Sequence, residues 1–119
     1  MNGSLIWYAQ RISAVFLLSY TVWISLFFTT TQTISFDIWI IFADSFHFKA
    51  ATSIASVVVL LHSFIGLWTI GTDYLTGRTL GFLNASLIKY ADIIRNFYSF
   101  LYILWGFAFT FFALFIIWG

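Results

Sequence analysis

Three long apolar runs constrain the fold of this chain more than any other feature of its sequence. They cover about residues 12–30, 50–70 and 97–118. A helix needs about 20 mostly apolar residues to cross the hydrocarbon core of a bilayer, and each run is long enough. The apolar residues are continuous rather than alternating, so membrane-spanning strands are a poor alternative. The sequence therefore predicts an all-α integral membrane protein with three transmembrane helices.

Charged residues are too scarce for a protein whose main solvent is water. Only 8% of the 119 residues are charged, whereas a soluble domain carries about 25%. The net charge is +1, so no basic surface for nucleic acid is expected. The chain has no cysteine and cannot supply thiolate ligands to an iron–sulphur cluster or a zinc ion. Any electrons that pass through this chain must therefore be delivered by a cofactor or by another chain. At this length we expect a single domain.

The distribution of basic residues predicts the orientation of the chain in its membrane. The connection between the first and second apolar runs contains Lys49 as its only basic residue. The other basic residues precede the first run or lie between the second and third: Arg11, Arg78, Lys89 and Arg95. Basic residues favour the cytoplasmic side. We therefore expect a cytoplasmic N-terminus and a periplasmic C-terminus in a bacterial inner membrane, or the equivalent arrangement in the mitochondrial inner membrane.

The two connections between the apolar runs carry structural signals of their own. Residues 34–48 are too apolar for a solvated loop and too few to span, so they predict an interfacial segment with Trp39 at headgroup depth. Beyond the second run, Asn84 is a candidate cap for a helix of about 34 residues that continues into the third run. Such a helix is about 50 Å long. Its first turns are expected to project beyond the bilayer or to break near Asn96.

The second apolar run has a stripe of small and polar residues along one side. At about 100° per residue, its members fall within about 40° of one line, and they are Ala51, Ala55, His62, Gly66, Thr69 and Asp73. The opposite side is bulkier and includes Leu60, Phe64 and Leu67. Small residues permit close approach between helices in lipid, so the stripe predicts a face that contacts protein or a cofactor.

His62 lies near the predicted middle of the membrane, where an ionisable residue is costly and is a functional candidate by default. One hypothesis is an axial ligand of haem iron, since imidazole is a common haem ligand and Gly66, one turn away, leaves space for a flat macrocycle. The other hypothesis is a histidine that hydrogen-bonds a neighbouring helix. His47 falls in the interfacial segment and is predicted to be a surface residue. A haem with two histidine ligands would therefore require a partner chain.

Three further polar residues are expected at the inner membrane surface. Asp73 and Tyr74 lie about 16 Å beyond His62 along the helix. They predict either a polar helix end with an interfacial tyrosine or a quinone site. In the quinone site Tyr74 would donate to a quinone carbonyl, and Asp73 would orient the quinone or handle protons. Arg11 opens the first span, and we expect it either to snorkel to headgroups or to pair with a haem propionate.

These residues together resemble a known family. The string HSFIGLWTIGTDY, from His62 to Tyr74, is similar to the pattern H-x3-G-x6-D-Y of the D-type, smaller hydrophobic membrane anchor subunit of succinate dehydrogenase. The segments QRISAVFLL and FDIWIIFADSF also resemble this family, as do the length and the three-span layout. Leu5 departs from the pattern, because some members have a histidine at that position, six residues before the arginine.

The resemblance implies a subunit of respiratory complex II, which links the tricarboxylic acid cycle to electron transport. Two anchor subunits would hold a flavoprotein subunit, where succinate is oxidised, and an iron–sulphur subunit. His62 would be one axial ligand of haem b, and the larger cytochrome b anchor subunit would supply the other. Tyr74 would contribute to the ubiquinone site with Asp73 beside it, and Arg11 would lie close to the haem propionates. Membrane lipid would surround the chain.

Two other functions remain open from the sequence. A related fumarate reductase would use a similar anchor subunit, although the histidine and the Asp73–Tyr74 pair favour the ubiquinone-linked enzyme. A non-redox assembly or transport subunit would use His62 only for helix packing. Residues 76–96 have no assigned role in any of these hypotheses.

Overall fold

Three long helices dominate the computed structural model, which describes residues 2–119. Within these residues there are helices and short connections but no strand. The elements, in chain order, are α1 (Gly3–Thr30), α2 (Phe36–Ala43), α3 (Phe46–Tyr74), α4 (Gly77–Leu83), a 3₁₀ helix (Ala85–Tyr90) and α5 (Ala91–Trp118). In the part of the chain described, α1, α3 and the continuous segment Ala85–Trp118 are long and apolar enough to cross a membrane. The predicted all-α architecture with three spanning helices is confirmed.

Two of the long helices start well before the apolar runs that predicted them. The Asn2 side chain accepts a hydrogen bond from the Ser4 amide at 2.9 Å and so begins α1. The Ser45 hydroxyl accepts from the Phe48 amide at 3.2 Å and begins α3 in the same way. The capping side chains, rather than the edges of the apolar runs, therefore determine where these helices begin.

The predicted helix over the third run is present, with a modified first part. The Asn84 side chain accepts a hydrogen bond from the Ser86 amide at 3.0 Å, which confirms it as the cap. The helical segment Ala85–Trp118 has 34 residues, as predicted, but its first 6 form the 3₁₀ helix. The helix is continuous across Asn96, so the alternative of a break there is wrong.

Helix α3 lies against both α1 and α5 and is antiparallel to each. Towards α5, the Tyr98 hydroxyl donates to the Leu67 carbonyl oxygen at 2.9 Å, and the Trp118 indole N–H donates to the Ser53 hydroxyl at 2.7 Å. These bonds lie near opposite ends of the interface. Because lipid tails are as apolar as the side chains, such polar bonds and close packing position helices better than hydrophobicity does.

Glycines allow α5 to approach α3 closely. A Cβ atom added at Gly106 would overlap the Phe64 ring and would lie 2.7 Å from Leu60 Cδ1. A Cβ atom added at Gly71 would lie 3.1 Å from the Tyr98 ring. Large side chains of one helix therefore fill the space left by glycines of the other.

The segment between the first two spans forms α2 and an aromatic cluster at one end of the bundle. The Phe27 and Phe42 rings stack with their centroids 3.9 Å apart, and Trp39 stacks on Phe28 at 5.8 Å. Trp39 also meets the edge of Phe48 at 5.6 Å. This cluster attaches α2 to the end of α1 and to the start of α3. We call this end of the bundle the Trp39 end, and the opposite end the Tyr74 end.

Very few apolar side chains are buried within this chain. Among residues 2–119, the buried apolar residues are Ala55, Leu80 and Ala91, all of them small or near a helix end. Large side chains of α5 such as Trp105 and Phe111 are 72% and 74% exposed. An apolar surface of this extent requires lipid or partner chains to cover it.

Replacing Gly106 with alanine is expected to destabilise the α3–α5 interface. Over-packing costs about 1–3 kcal/mol, which exceeds the gain of about 0.5–1 kcal/mol from replacing a helical glycine with alanine. Thermal unfolding of the purified protein, with any chains that copurify, should show a lower midpoint for Gly106→Ala. Gly3→Ala is the matched control, since nothing lies within 4 Å of a Cβ atom added there. Equal midpoints for the two variants would contradict the close approach at Gly106.

Candidate functional site

His62 lies on the side of α3 that faces α1, where it meets Ser13. The Ser13 hydroxyl oxygen is 2.8 Å from His62 Nδ1 and 2.9 Å from the Gln10 carbonyl oxygen, to which it donates. A hydroxyl group has one proton to donate. Both contacts are hydrogen bonds at once only if Nδ1 carries its own proton and donates it to Ser13. In a neutral imidazole, this arrangement leaves the lone pair on Nε2.

The rest of the predicted stripe contacts α1 over part of its length. Ala55 is buried, and a Cβ atom added at Gly66 would lie 3.4 Å from Gln10 Nε2. Thr69 and Asp73, nearer the Tyr74 end, are exposed. The prediction was that the stripe contacts protein or a cofactor, and its middle section contacts α1. On the side of α3 that faces α1, the Gln10 amide lies in the space beside Gly66. A contact between Gly66 and a cofactor stays a prediction.

Arg11 lies at nearly the same depth as His62, on a different flank. Because α1 and α3 are antiparallel and Ser13 is level with His62, Arg11 is within about 3 Å of that level. Its side chain leaves α1 about 160° from Ser13 and is exposed, with the guanidinium 5.4 Å from the centroid of the Trp7 ring. The expectation that Arg11 shares the depth of Tyr74 is wrong, because α1 begins two turns before Arg11.

Asp73 and Tyr74 form the last turn of α3 and are both exposed, Tyr74 to 62%. The chain beyond them is fixed by Arg95, which donates from Nη1 to the Leu75 carbonyl oxygen at 3.1 Å and pairs with Asp92. This contact joins the end of α3 to the start of α5. Tyr74 is about 18 Å from His62 along the helix, so the two predicted sites are separate.

The predicted site residues lie outside the apolar cavity between the three long helices. A cavity of about 480 Å³ lies between the three long helices on the Tyr74 side of the bundle, and its lining is almost entirely apolar: Ile6, Phe64, Ile65, Trp68, Tyr102, Ile103 and Phe107. None of the predicted site residues is among them. No cluster of three or more histidine, cysteine or acidic residues suited to a metal ion occurs in residues 2–119. A cofactor at His62 stays a prediction.

Sequence patterns did not identify Ser13, Gln10 or Arg95 as parts of these regions. In the sequence, Ser13 and Gln10 are simply polar residues in or beside the first apolar run. Such residues commonly form hydrogen bonds to a neighbouring helix. Arg95 is, in the sequence, only one of the basic residues that predict the orientation of the chain in its membrane. Their partners are distant in sequence, as with Ser13 and His62, which are separated by 49 positions.

The sequence of this chain is similar to that of a known membrane anchor subunit. No protein-family model matches the chain. The succinate dehydrogenase hydrophobic membrane anchor subunit of Coxiella burnetii is 30% identical to it over 82 residues, which are 69% of this chain and 71% of that protein. This similarity agrees with the three spanning helices of a multi-pass membrane protein. The chain belongs to the family of succinate dehydrogenase hydrophobic membrane anchor subunits.

Proposed function

We propose that this chain anchors a succinate dehydrogenase in the membrane, binds haem b through His62 and contributes Tyr74 to a ubiquinone site. As an anchor subunit it is not itself catalytic for succinate. Succinate is oxidised in a flavoprotein subunit, and its electrons reach ubiquinone by way of an iron–sulphur subunit. The family similarity supports this assignment, and so do long exposed helices that require partner chains or lipid.

The contact between Ser13 and His62 Nδ1 is the observation that carries the haem proposal. Imidazole binds haem iron through a nitrogen that has a lone pair, and the contacts of Ser13 leave that lone pair on Nε2. His62 is half-buried rather than enclosed, which is compatible with a ligand from outside the chain. When bound, the haem would supply a one-electron carrier. The larger anchor subunit would provide a second histidine ligand.

Helix packing alone explains the His62–Ser13 contact less completely. A packing role uses Nδ1, and within residues 2–119 it leaves Nε2 without a hydrogen bond. An ionisable side chain at membrane depth is expensive, and an unmet polar atom adds to that cost. A ligand at Nε2 accounts for both nitrogens and is therefore the better explanation.

Arg11 is the chain's candidate partner for a haem propionate. It lies within about 3 Å of the depth of His62 and about 12 Å from the start of α1. That distance is long for an arginine side chain that would extend to the lipid headgroups. Its guanidinium is exposed against Trp7 and remains able to form a bidentate pair with a carboxylate.

The Tyr74 end is the proposed cytoplasmic end and the proposed location of quinone reduction. Three of the five basic residues lie there, in α4, the 3₁₀ helix and the first turns of α5, which supports a cytoplasmic N-terminus under the positive-inside rule. Quinone reduction consumes protons, so a site at the aqueous boundary suits the chemistry. The exposed Tyr74 hydroxyl is the proposed donor to a quinone carbonyl, with the Asp73 carboxylate beside it.

Replacing His62 with alanine is expected to remove most of the haem from the purified complex, because the iron loses one protein ligand. A reduced-minus-oxidised spectrum, normalised to protein, measures the loss. His47→Ala is the matched control, since His47 is an exposed histidine in the first turn of the same helix. Full haem content in His62→Ala would show that His62 does not bind the iron.

Replacing Tyr74 with phenylalanine is expected to lower quinone reductase activity about tenfold, since one hydrogen bond to the quinone carbonyl is lost. Succinate oxidation with an artificial dye acceptor should remain unchanged. Tyr90→Phe is the control, because Tyr90 is also exposed at the Tyr74 end. If both activities fell together in Tyr74→Phe, the quinone assignment would be wrong.

A further inference from the structure

We propose that Ser13 is a positioning residue for His62. Its hydroxyl accepts a hydrogen bond from Nδ1–H and holds the ring in the tautomer that leaves Nε2 able to bind iron. This bond would also increase the electron donation of the imidazole. The inference rests on the proposed haem ligation by His62 and assigns to α1 a role in setting the properties of that haem.

Ser13 is itself fixed in place by the backbone of α1. Its hydroxyl donates to the Gln10 carbonyl oxygen at 2.9 Å while its oxygen lies 2.8 Å from His62 Nδ1. The three groups form a continuous chain from the imidazole N–H through the hydroxyl to a main-chain carbonyl. Successive hydrogen bonds of this kind polarise one another, so the serine oxygen becomes a stronger acceptor than an isolated hydroxyl.

The arrangement matches what metal-bound histidines require. A ligating histidine almost always donates its second N–H to a carboxylate, a carbonyl or water, and this bond fixes the tautomer and raises the basicity of the ligand. Here the Ser13 hydroxyl oxygen is the acceptor, and the same hydroxyl donates to the Gln10 carbonyl oxygen. Since both Ser13 and His62 are half-buried, solvent competes only weakly for the contact.

Other serines and threonines of α1 provide a contrast. The hydroxyl of Ser19 donates to the Val15 carbonyl oxygen at 2.9 Å, and that of Thr21 donates to the Leu17 carbonyl oxygen at 2.9 Å. Both bonds stay within α1, and both residues are exposed. Ser13 makes the same type of bond to its own helix but also contacts α3. Removal of the Ser19 hydroxyl therefore changes the local bonding of α1 and leaves His62 untouched.

The direction of the effect follows from the electronics of the ring. A hydrogen bond from Nδ1–H places more electron density on the imidazole, which favours the oxidised iron. Loss of that bond is expected to raise the haem reduction potential and to weaken haem retention. Removing such a supporting group typically lowers metal affinity about 10–100-fold.

The test uses the purified complex that contains the full chain. Ser13→Ala should show a larger reduced fraction of haem than the wild type at the same applied potential in an optical redox titration. Its haem should also transfer to an excess of apomyoglobin about tenfold faster or more. Ser13→Thr, which keeps a hydroxyl, should restore both properties towards wild type. Ser19→Ala is the matched control and should resemble the wild type.

The outcomes separate this inference from the proposed function. If His62→Ala retains its haem, the ligation itself is wrong and the role of Ser13 fails with it. If His62→Ala loses haem but Ser13→Ala titrates like Ser19→Ala, only the role of Ser13 is wrong. Should Ser13→Ala not assemble, Ser13→Cys replaces it, since the thiol is similar in size but a weaker acceptor. A raised potential in Ser13→Cys supports the inference, and an unchanged potential overturns it.

Discussion

The hydrogen bond between Ser13 and His62 connects the architecture of this protein to its proposed chemistry. It joins α1 to α3 in a medium where apolar contacts between helices are little better than contacts with lipid. If the Ser13 hydroxyl donates to the Gln10 carbonyl oxygen, His62 Nδ1 donates to Ser13 and the lone pair of a neutral ring is on Nε2. A single contact therefore contributes both to the helix register and to the chemical state of the candidate ligand.

Helix α3 separates two kinds of interface. Its small and polar side faces α1 and includes His62 and Gly66, whereas its bulkier side packs against Gly106 of α5 and is held by the Tyr98 hydroxyl. The α5 interface is closely packed, with large side chains against Gly106 and Gly71. We infer that α5 mainly stabilises α3, while α1 provides the groups that surround the histidine.

The exposed apolar surface of the long helices requires lipid or partner chains to cover it. Arg11 and Tyr74 project outward, and no cluster of metal ligands occurs within residues 2–119. Membership in a family of membrane anchor subunits agrees with a chain covered by lipid or by other subunits. In the proposed function, a haem at His62 or a quinone at Tyr74 would be shared with a partner chain.

Local sequence was sufficient to identify the three spanning helices, the cap at Asn84 and the unusual side of α3 with His62. These features follow from rules that act over a few residues: an unpaired backbone group is costly in lipid, so a long apolar run forms a helix, and the 3.6-residue period assigns its sides. Only the packed structure established that Ser13 is the partner of His62 and that Arg11 lies at nearly the same depth. Both depend on the register between α1 and α3, and periodicity within one helix contains no information about how far its neighbour is shifted along it.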